Sequence, residues 1–220
     1  METELTKKTT GKVKNKELTK RSLINAVGEL LRTKGFKSLR ITKVARQAEV
    51  DTTLVYRYFG NIKNLIERYV IEKDYWISNT LKLQRKRIRT RDDMQETLIQ
   101  MLEGQFTYFF DNEEMQRLII KEITEKNTLM DSVSRVRENI GSQYYTQADK
   151  YLKDTGSDIR AVSALLVAGI YYIVLHSKMN TSTFCEIDIK KQDGRDRISK
   201  AIRKIMSRSF DEPDLQPENV

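Results

Sequence analysis

The sequence predicts an all-α protein in which an N-terminal three-helix domain, carrying a helix-turn-helix, precedes a larger helical domain. Three observations lead there. Of 220 residues only Pro213 and Pro217 are proline, both within the last eight positions, so the rest of the chain is free of the strongest helix breaker. Apolar residues recur at helical spacing, as in Leu23, Val27, Leu30 and Leu31, and no long run alternates apolar with polar as a half-buried strand does. Charge also divides along the chain. Residues 1–91 hold 23 Lys and Arg against 9 Asp and Glu, a net of +14, while residues 92–220 hold 17 against 22, a net of −5. A basic front on an acidic remainder predicts that one end meets a polyanion.

Taken in order, residues 1–17 read as a flexible basic arm, with Lys7, Lys8, Lys12, Lys14 and Lys16 and scant apolar content. A first helix is predicted over 18–34, ended by Gly35. Two short helices follow at 41–48 and 52–59. Ile41, Val44, Ala45 and Ala48 share one face of the first, Val50 plugs the turn, and Asp51 or Thr52 caps the second. In that second helix Leu54, Val55, Tyr58 and Phe59 supply apolar contact, leaving Thr52, Thr53, Tyr56 and Arg57 to face outward. Two short helices around a tight turn form a helix-turn-helix, here within a domain at 18–62. Asn61 is placed to cap a long helix over 62–83, lined by Leu65, Ile66, Tyr69 and Trp76. The basic stretch 82–91 closes a connecting segment at 63–90.

Further helices are predicted at 92–110, 113–126, 129–153, 158–178 and 194–210, together a domain at 91–210. Asp158 after Gly156-Ser157 is a turn and cap signal. Residues 161–175 are apolar on nearly every face, which reads as a helix buried on both sides. The last helix carries a stripe of Ile198, Ala201, Ile202, Ile205 and Met206. The polar tail 211–220 is expected to be disordered.

Composition excludes several classes. Cys185 is the only cysteine, so no intrachain disulfide forms and a reducing compartment fits best. The N-terminus has no apolar signal-peptide core, and the apolar run at 161–175 falls short of the ~20 residues that span a bilayer. A cytoplasmic protein without a membrane partner is expected. Neither a Gly-rich phosphate loop, nor H-E-x-x-H, nor a nucleophile elbow occurs, and His176 is the only histidine. No enzyme, cofactor or metal site is therefore expected.

Residues 23–65 resemble the N-terminal domain of the tetracycline-repressor (TetR) family of bacterial regulators. Leu23, Ala26, Val27, Leu30 and Leu31 lead into Gly35-Phe36. Ile41, Val44, Ala45, Ala48 and Val50 follow in register. Val55-Tyr56-Arg57-Tyr58-Phe59 stands where the family has its Leu-Tyr-x-Tyr/His-Phe signature, and Leu65 lies six residues on. Three positions depart from the pattern: Glu49 where many members have Gly in the turn, Arg40 where threonine is common, and Ile62, with Lys63 beside it, where many have lysine. The resemblance implies DNA contacts from the first residues of both short helices, a tyrosine on a phosphate, and a C-terminal domain that forms a homodimer and encloses a ligand pocket.

The residues support the same picture independently. A recognition helix presents its N-terminal end and short polar side chains to the major groove. Thr52 and Thr53 suit base edges. Tyr56 and Arg57 follow one turn later, Thr42 and Lys43 open the preceding helix, and Arg40 and Lys63 can hold phosphates. For an effector, the candidates are Phe106, Phe109, Phe110, Tyr144, Tyr145 and Tyr172, although aromatics at helical spacing are more often ordinary core. The helices at 158–178 and 194–210 are candidates for a four-helix dimer interface, the amphipathic last helix being the better one. The expected function is a homodimeric repressor on a palindromic double-stranded DNA operator, released by an unknown small-molecule effector. The alternatives are control by a protein partner, or activation.

Overall fold

A computed structural model of the chain describes residues 2–74, 88–125, 128–153 and 155–211, with the backbone alone for 2–14, 128, 129 and 132. The predicted Trp76 contact, the basic residues 82–87 and the tail beyond 211 lie outside the described residues. Among the described residues the helices are α1 (Glu2–Lys34), α2 (Ile41–Gln47), α3 (Thr53–Phe59), α4 (Ile62–Lys73), α5 (Arg91–Asp111), α6 (Glu113–Thr124), α7 (Thr128–Leu152), α8 (Ile159–Met179) and α9 (Gln192–Arg208), with a short 3-10 turn at Phe36–Ser38. The fold is all-α, as the sequence predicts.

The residues form two compact units. One comprises Met1–Lys73 with Ile120–Val133, and the other comprises Asp74–Ile119 with Ser134–Val220. The charge reversal near residue 90 thus does not coincide with the division, which falls at the end of α4.

In the first unit α1 packs on α2 and α4, and α3 packs on α4. Leu23, Val27, Leu30 and Leu31 of α1 are buried with Val44, Ala45, Val55, Leu65, Tyr69 and Val70. Gly28 sets how closely α1 and α4 approach: a Cβ there would lie 2.7 Å from Cε2 of the buried Tyr69. Lys121 places its Nζ 4.7 Å over the Phe36 ring, joining the 120–133 segment to this unit. The predicted caps are in place. The Gly35 N–H donates to Leu31 O at 3.1 Å, and the Asn64 N–H donates to Asn61 Oδ1 at 2.9 Å.

Two predicted boundaries move. The first helix begins at Glu2 and not near residue 18, so the basic stretch read as a flexible arm is a helical extension of α1. A lack of apolar residues decides whether a segment is buried, but lysine and glutamate are themselves good helix formers, and Gly11 is the strongest local opponent. The helix predicted over 62–83 stops at Lys73. There the buried Asp74 accepts from Arg137 Nε at 2.6 Å, an ion pair with a residue 63 positions away. Burial, with the charges of Asp74 and Glu114, pushes the nearby Tyr108 hydroxyl up to about 12.

The second unit is built on α5, which packs against α8 and α9. Thr90 and Asp93 form a capping box at its start: the Asp93 N–H donates to Thr90 Oγ1 at 3.0 Å and the Thr90 N–H to Asp93 Oδ2 at 3.1 Å. At its end Gln116 Nε2 donates to the Phe109 and Phe110 carbonyls at 2.7 and 3.0 Å, satisfying groups the helix leaves open. Arg203 of α9 reaches Glu96 and Glu103 of α5, both at 2.8 Å, and these carboxylates hold its guanidinium protonated above the ordinary range. Asp158 caps α8, accepting from the N–H groups of Arg160 and Ala161.

α8 departs from its prediction in two ways. It is 21 residues long, so by length and composition it is apolar enough to cross a membrane, against the shorter run read from sequence. It is also not buried on both sides. Ile159, Ser163, Ile170 and Val174 are covered, whereas Ala161, Ala164, Leu165, Ala168 and Tyr172 form an exposed stripe on the other side.

Candidate DNA interface

The turn between α2 and α3 is closed by three backbone bonds: Ala48 N–H to Val44 O, Glu49 N–H to Arg46 O, and Val50 N–H to Ala45 O. Glu49 sits at φ 55°, the left-handed region expected for a position where glycine is common. Behind the turn, Ser22 Oγ of α1 donates to Ala48 O at 3.1 Å, fixing α2 on its support.

Asp51 starts the second helix. Its Oδ1 accepts the Thr53 N–H at 2.8 Å, and hydrogen bonding from the Thr53 side chain and then its amide holds the Asp51 carboxyl below its ordinary pKa. Thr52, the other candidate cap, makes no side-chain capping bond. α3 ends at Gly60, whose φ of 79° lets its N–H turn back to Tyr56 O at 2.9 Å, a conformation a side chain would strain.

Between these ends α3 buries Val55 completely and half-buries Leu54, Tyr58 and Phe59. Thr53, Tyr56 and Arg57 fall at i, i+3 and i+4 on the opposite face and are exposed, Tyr56 to 56 %. Thr52 is half-buried at the helix start. On α2, Thr42 is exposed and Lys43 half-exposed, while Arg40 is exposed at the N-cap position with an extended backbone. Lys63 is exposed in the first turn of α4. Sequence reasoning passed over Arg46. It is exposed one helical turn beyond Thr42, and the same 3.6-residue period would have found it.

The aromatic residues named for an effector scatter within the second unit. Phe106 and Phe109 are buried in the core, with the Phe109 ring 4.7 Å from that of Tyr171. Phe110 sits between two cations, with Lys178 Nζ at 4.2 Å and Arg195 Cζ at 5.0 Å from its ring. Tyr172 is exposed on α8 and meets Phe184 edge-to-face, the ring centroids 5.0 Å apart. Tyr144 and Tyr145 line a cavity, together with Leu98, Met101, Leu102, Gly141 and Ser163. Its volume is about 10 Å³, room for roughly one water. Burial raises the Tyr145 hydroxyl pKa, and the Gly141 backbone gives its ring space to fold back along α7.

Comparison with known proteins meets this geometry where the helix-turn-helix lies. Residues 23–69 match the family described as bacterial regulatory proteins, tetR family. The chain is 27 % identical over 134 residues to the probable HTH-type transcriptional regulator YttP of Bacillus subtilis, a match that spans 61 % of this chain and 60 % of that relative. Among solved structures it is similar to the fatty acid degradation regulator FadR from Bacillus halodurans, with a TM-score of 0.61 and 14 % identity over 84 % of this chain and 96 % of that one. A FadR from Bacillus subtilis, solved in complex with stearoyl-CoA, gives 0.59 and 17 % over 84 % and 96 %. A TetR family protein from Vibrio parahaemolyticus gives 0.57 and 13 % over 85 % and 97 %. At such identities the structural likenesses speak for the fold. The sequence match over residues 23–69 makes the helix-turn-helix region similar to that of the tetR family.

Proposed function

We propose that the chain is a homodimeric repressor that binds a palindromic DNA operator and is released by a small-molecule effector. The observation that carries the DNA reading is the outer face of α3, where Thr53, Tyr56 and Arg57 stand exposed at helical spacing over a buried Val55. Thr52 and Thr53 read base edges, and Tyr56 and Arg57 reach phosphates or bases one turn on. Arg40, Thr42 and Lys43 hold the backbone from α2, as Lys63 does from α4. Arg46 joins them on the face of Thr42.

The dimer reading is supported by the exposed stripe of α8. Leu165 is 75 % exposed, Tyr172 55 % and Met179 68 %, and fully burying side chains of this size contributes about 1.5–3 kcal/mol each. On α9, by contrast, Ile202 and Met206 are covered within their own protomer, and Ile205 alone of the large apolar residues stands out, at 46 %. The sequence favoured α9 as the interface helix, whereas the exposed surface favours α8, with α9 beside it. A second copy on this stripe accounts for a 21-residue apolar helix without a membrane.

The candidate effector site on this reading is the cavity walled by Tyr144 and Tyr145. A drug-sized ligand needs a pocket of roughly 300–1,000 Å³, so binding there requires these tyrosines and their neighbours to move. The small cavity also favours a second reading, in which a protein partner controls DNA release. Selection of bound sequences from random DNA tests the main proposal, and recovery of a palindrome is the expected result. A directional or unrelated set of sequences would overturn the symmetric dimer. Titrating the operator complex with stearoyl-CoA, the ligand of the solved FadR, and with a metabolite library separates the two modes of control. Release by a small molecule supports the first, and no release by any favours the second.

A further inference from the structure

We propose that the N-terminal extension of α1 is a second, sequence-independent DNA contact, a lysine ridge that grips phosphates flanking the operator. The inference rests on the DNA-binding reading of α3 and adds a surface to it. Residues 5–16 hold five lysines and no carboxylate. Lys8, Lys12, Lys16 and Lys20 occupy successive i, i+4 positions of one continuous helix, a ridge with a rise of ~6 Å between neighbours. Leu5 and Val13 are the only large apolar residues in that stretch, so it has no apolar stripe to bury, and packing gives no reason for it to be helical. Like charges at i, i+4 oppose the helix when it stands alone. A polyanion laid along the ridge converts that repulsion into attraction.

The foot of the ridge lies beside the C-terminal end of the recognition helix. Lys20 and Arg21 line a groove with Tyr58 and Phe59 from the end of α3 and Asn64 from the first turn of α4. The extension therefore starts beside the end of the recognition helix. Lys20 is engaged by Glu17 at 2.9 Å and Arg21 by Glu72 at 3.2 Å, which leaves Lys8, Lys12 and Lys16 as the phosphate-binding set. Phosphates carry no sequence information, so this contact adds affinity without altering the operator that α3 reads.

The test compares the full chain with a Lys8→Gln, Lys12→Gln, Lys16→Gln variant on the selected operator and on an unrelated duplex, between 50 and 200 mM salt. Gln keeps the helix propensity of Lys while removing its charge. Each lost phosphate contact makes log K against log salt shallower by about 0.9, so the slope is expected to fall by about 2–3. The affinity gap between parent and variant then narrows by about 10- to 40-fold across that range, equally on both duplexes. Arginine at the three positions is expected to restore the slope. Equal slopes for parent and variant would overturn the ridge, and so would loss of binding to anionic phospholipid vesicles with unchanged DNA slopes. A parent that binds no duplex would overturn the DNA reading as well, a result distinct from equal slopes.

Discussion

The outer face of α3 and the outer face of α8 have the same geometry and opposite chemistry. Thr53, Tyr56 and Arg57 stand at i, i+3 and i+4, and Ala161, Ala164, Leu165, Ala168 and Tyr172 continue the same rhythm over three turns. Each is an exposed stripe on a helix whose other side is packed. The first consists of hydroxyls and a guanidinium that remain well solvated, so it is stable in water and available to a polar partner. The second presents methyl, isobutyl and aromatic groups, which gain from leaving water. Spacing states where a helix has a surface, and residue type states what that surface meets.

The largest expected effect comes from charging the apolar stripe. Leu165→Arg places a like charge from each protomer in the proposed interface. Leaving a charge buried without a partner costs about 3–5 kcal/mol, so dissociation should rise by a few hundredfold or more. Sedimentation should show monomers at micromolar concentration with an unchanged helical circular dichroism spectrum. Ile205→Arg is the comparison on α9 and should weaken the dimer less; an equal effect would return α9 to the leading role.

Next come changes on the polar stripe. Tyr56→Ala or Arg57→Ala should cost about 1–3 kcal/mol of operator affinity, roughly 5- to 150-fold, with the dimer intact by sedimentation. If both bind the operator as the parent does, the assignment of α3 is wrong. A smaller effect is expected from Glu49→Gly. It removes a left-handed strain of about 1–2 kcal/mol but adds unfolded-state entropy, so a net gain of up to about 1 kcal/mol should appear as a higher Tm. The smallest concerns Asp51. Its carboxyl pKa is lowered from 3.8 by the bonds from Thr53, so its contribution is fully present above 3.8 and is lost as pH falls through the lower folded value. Asp51→Asn should lose that acid dependence, with the Tm values of parent and variant converging below pH 3.8. Parallel Tm curves would show that the Asp51 charge does not matter.

Much of the fold was legible because helix ends carry local chemistry. Asn61 and Asp158 cap as read, Gly35 closes α1, and the spacing from Val44 to Phe59 placed the helix-turn-helix. The failures share a cause, which is dependence on distant residues. α4 ends at Lys73, just before Asp74, whose ion-pair partner Arg137 lies 63 residues away. The six aromatics could not be sorted from sequence, since neither Phe110 between Lys178 and Arg195 nor Tyr172 against Phe184 is marked by its neighbours in the chain. α8 is apolar all round, so its sequence does not say which side its own protomer covers. On the outer face of α2, Arg46 was readable and missed, whereas the extent of α1 was hidden because its basic segment lacks the apolar period by which helices are recognised.

The hairpin-like turn after α8 has a practical consequence. Phe184 and Ile187 exchange backbone bonds at 3.2 and 3.0 Å, and Cys185 and Glu186 between them take φ values of 50° and 61°. Cys185 is the chain's only thiol and is exposed, while its neighbour Phe184 lies against Tyr172 on the apolar stripe. Nature has thus supplied a single attachment point for a fluorophore or spin label at the edge of the surface in question. A probe there can report self-association, and its response to effector, in the unaltered sequence.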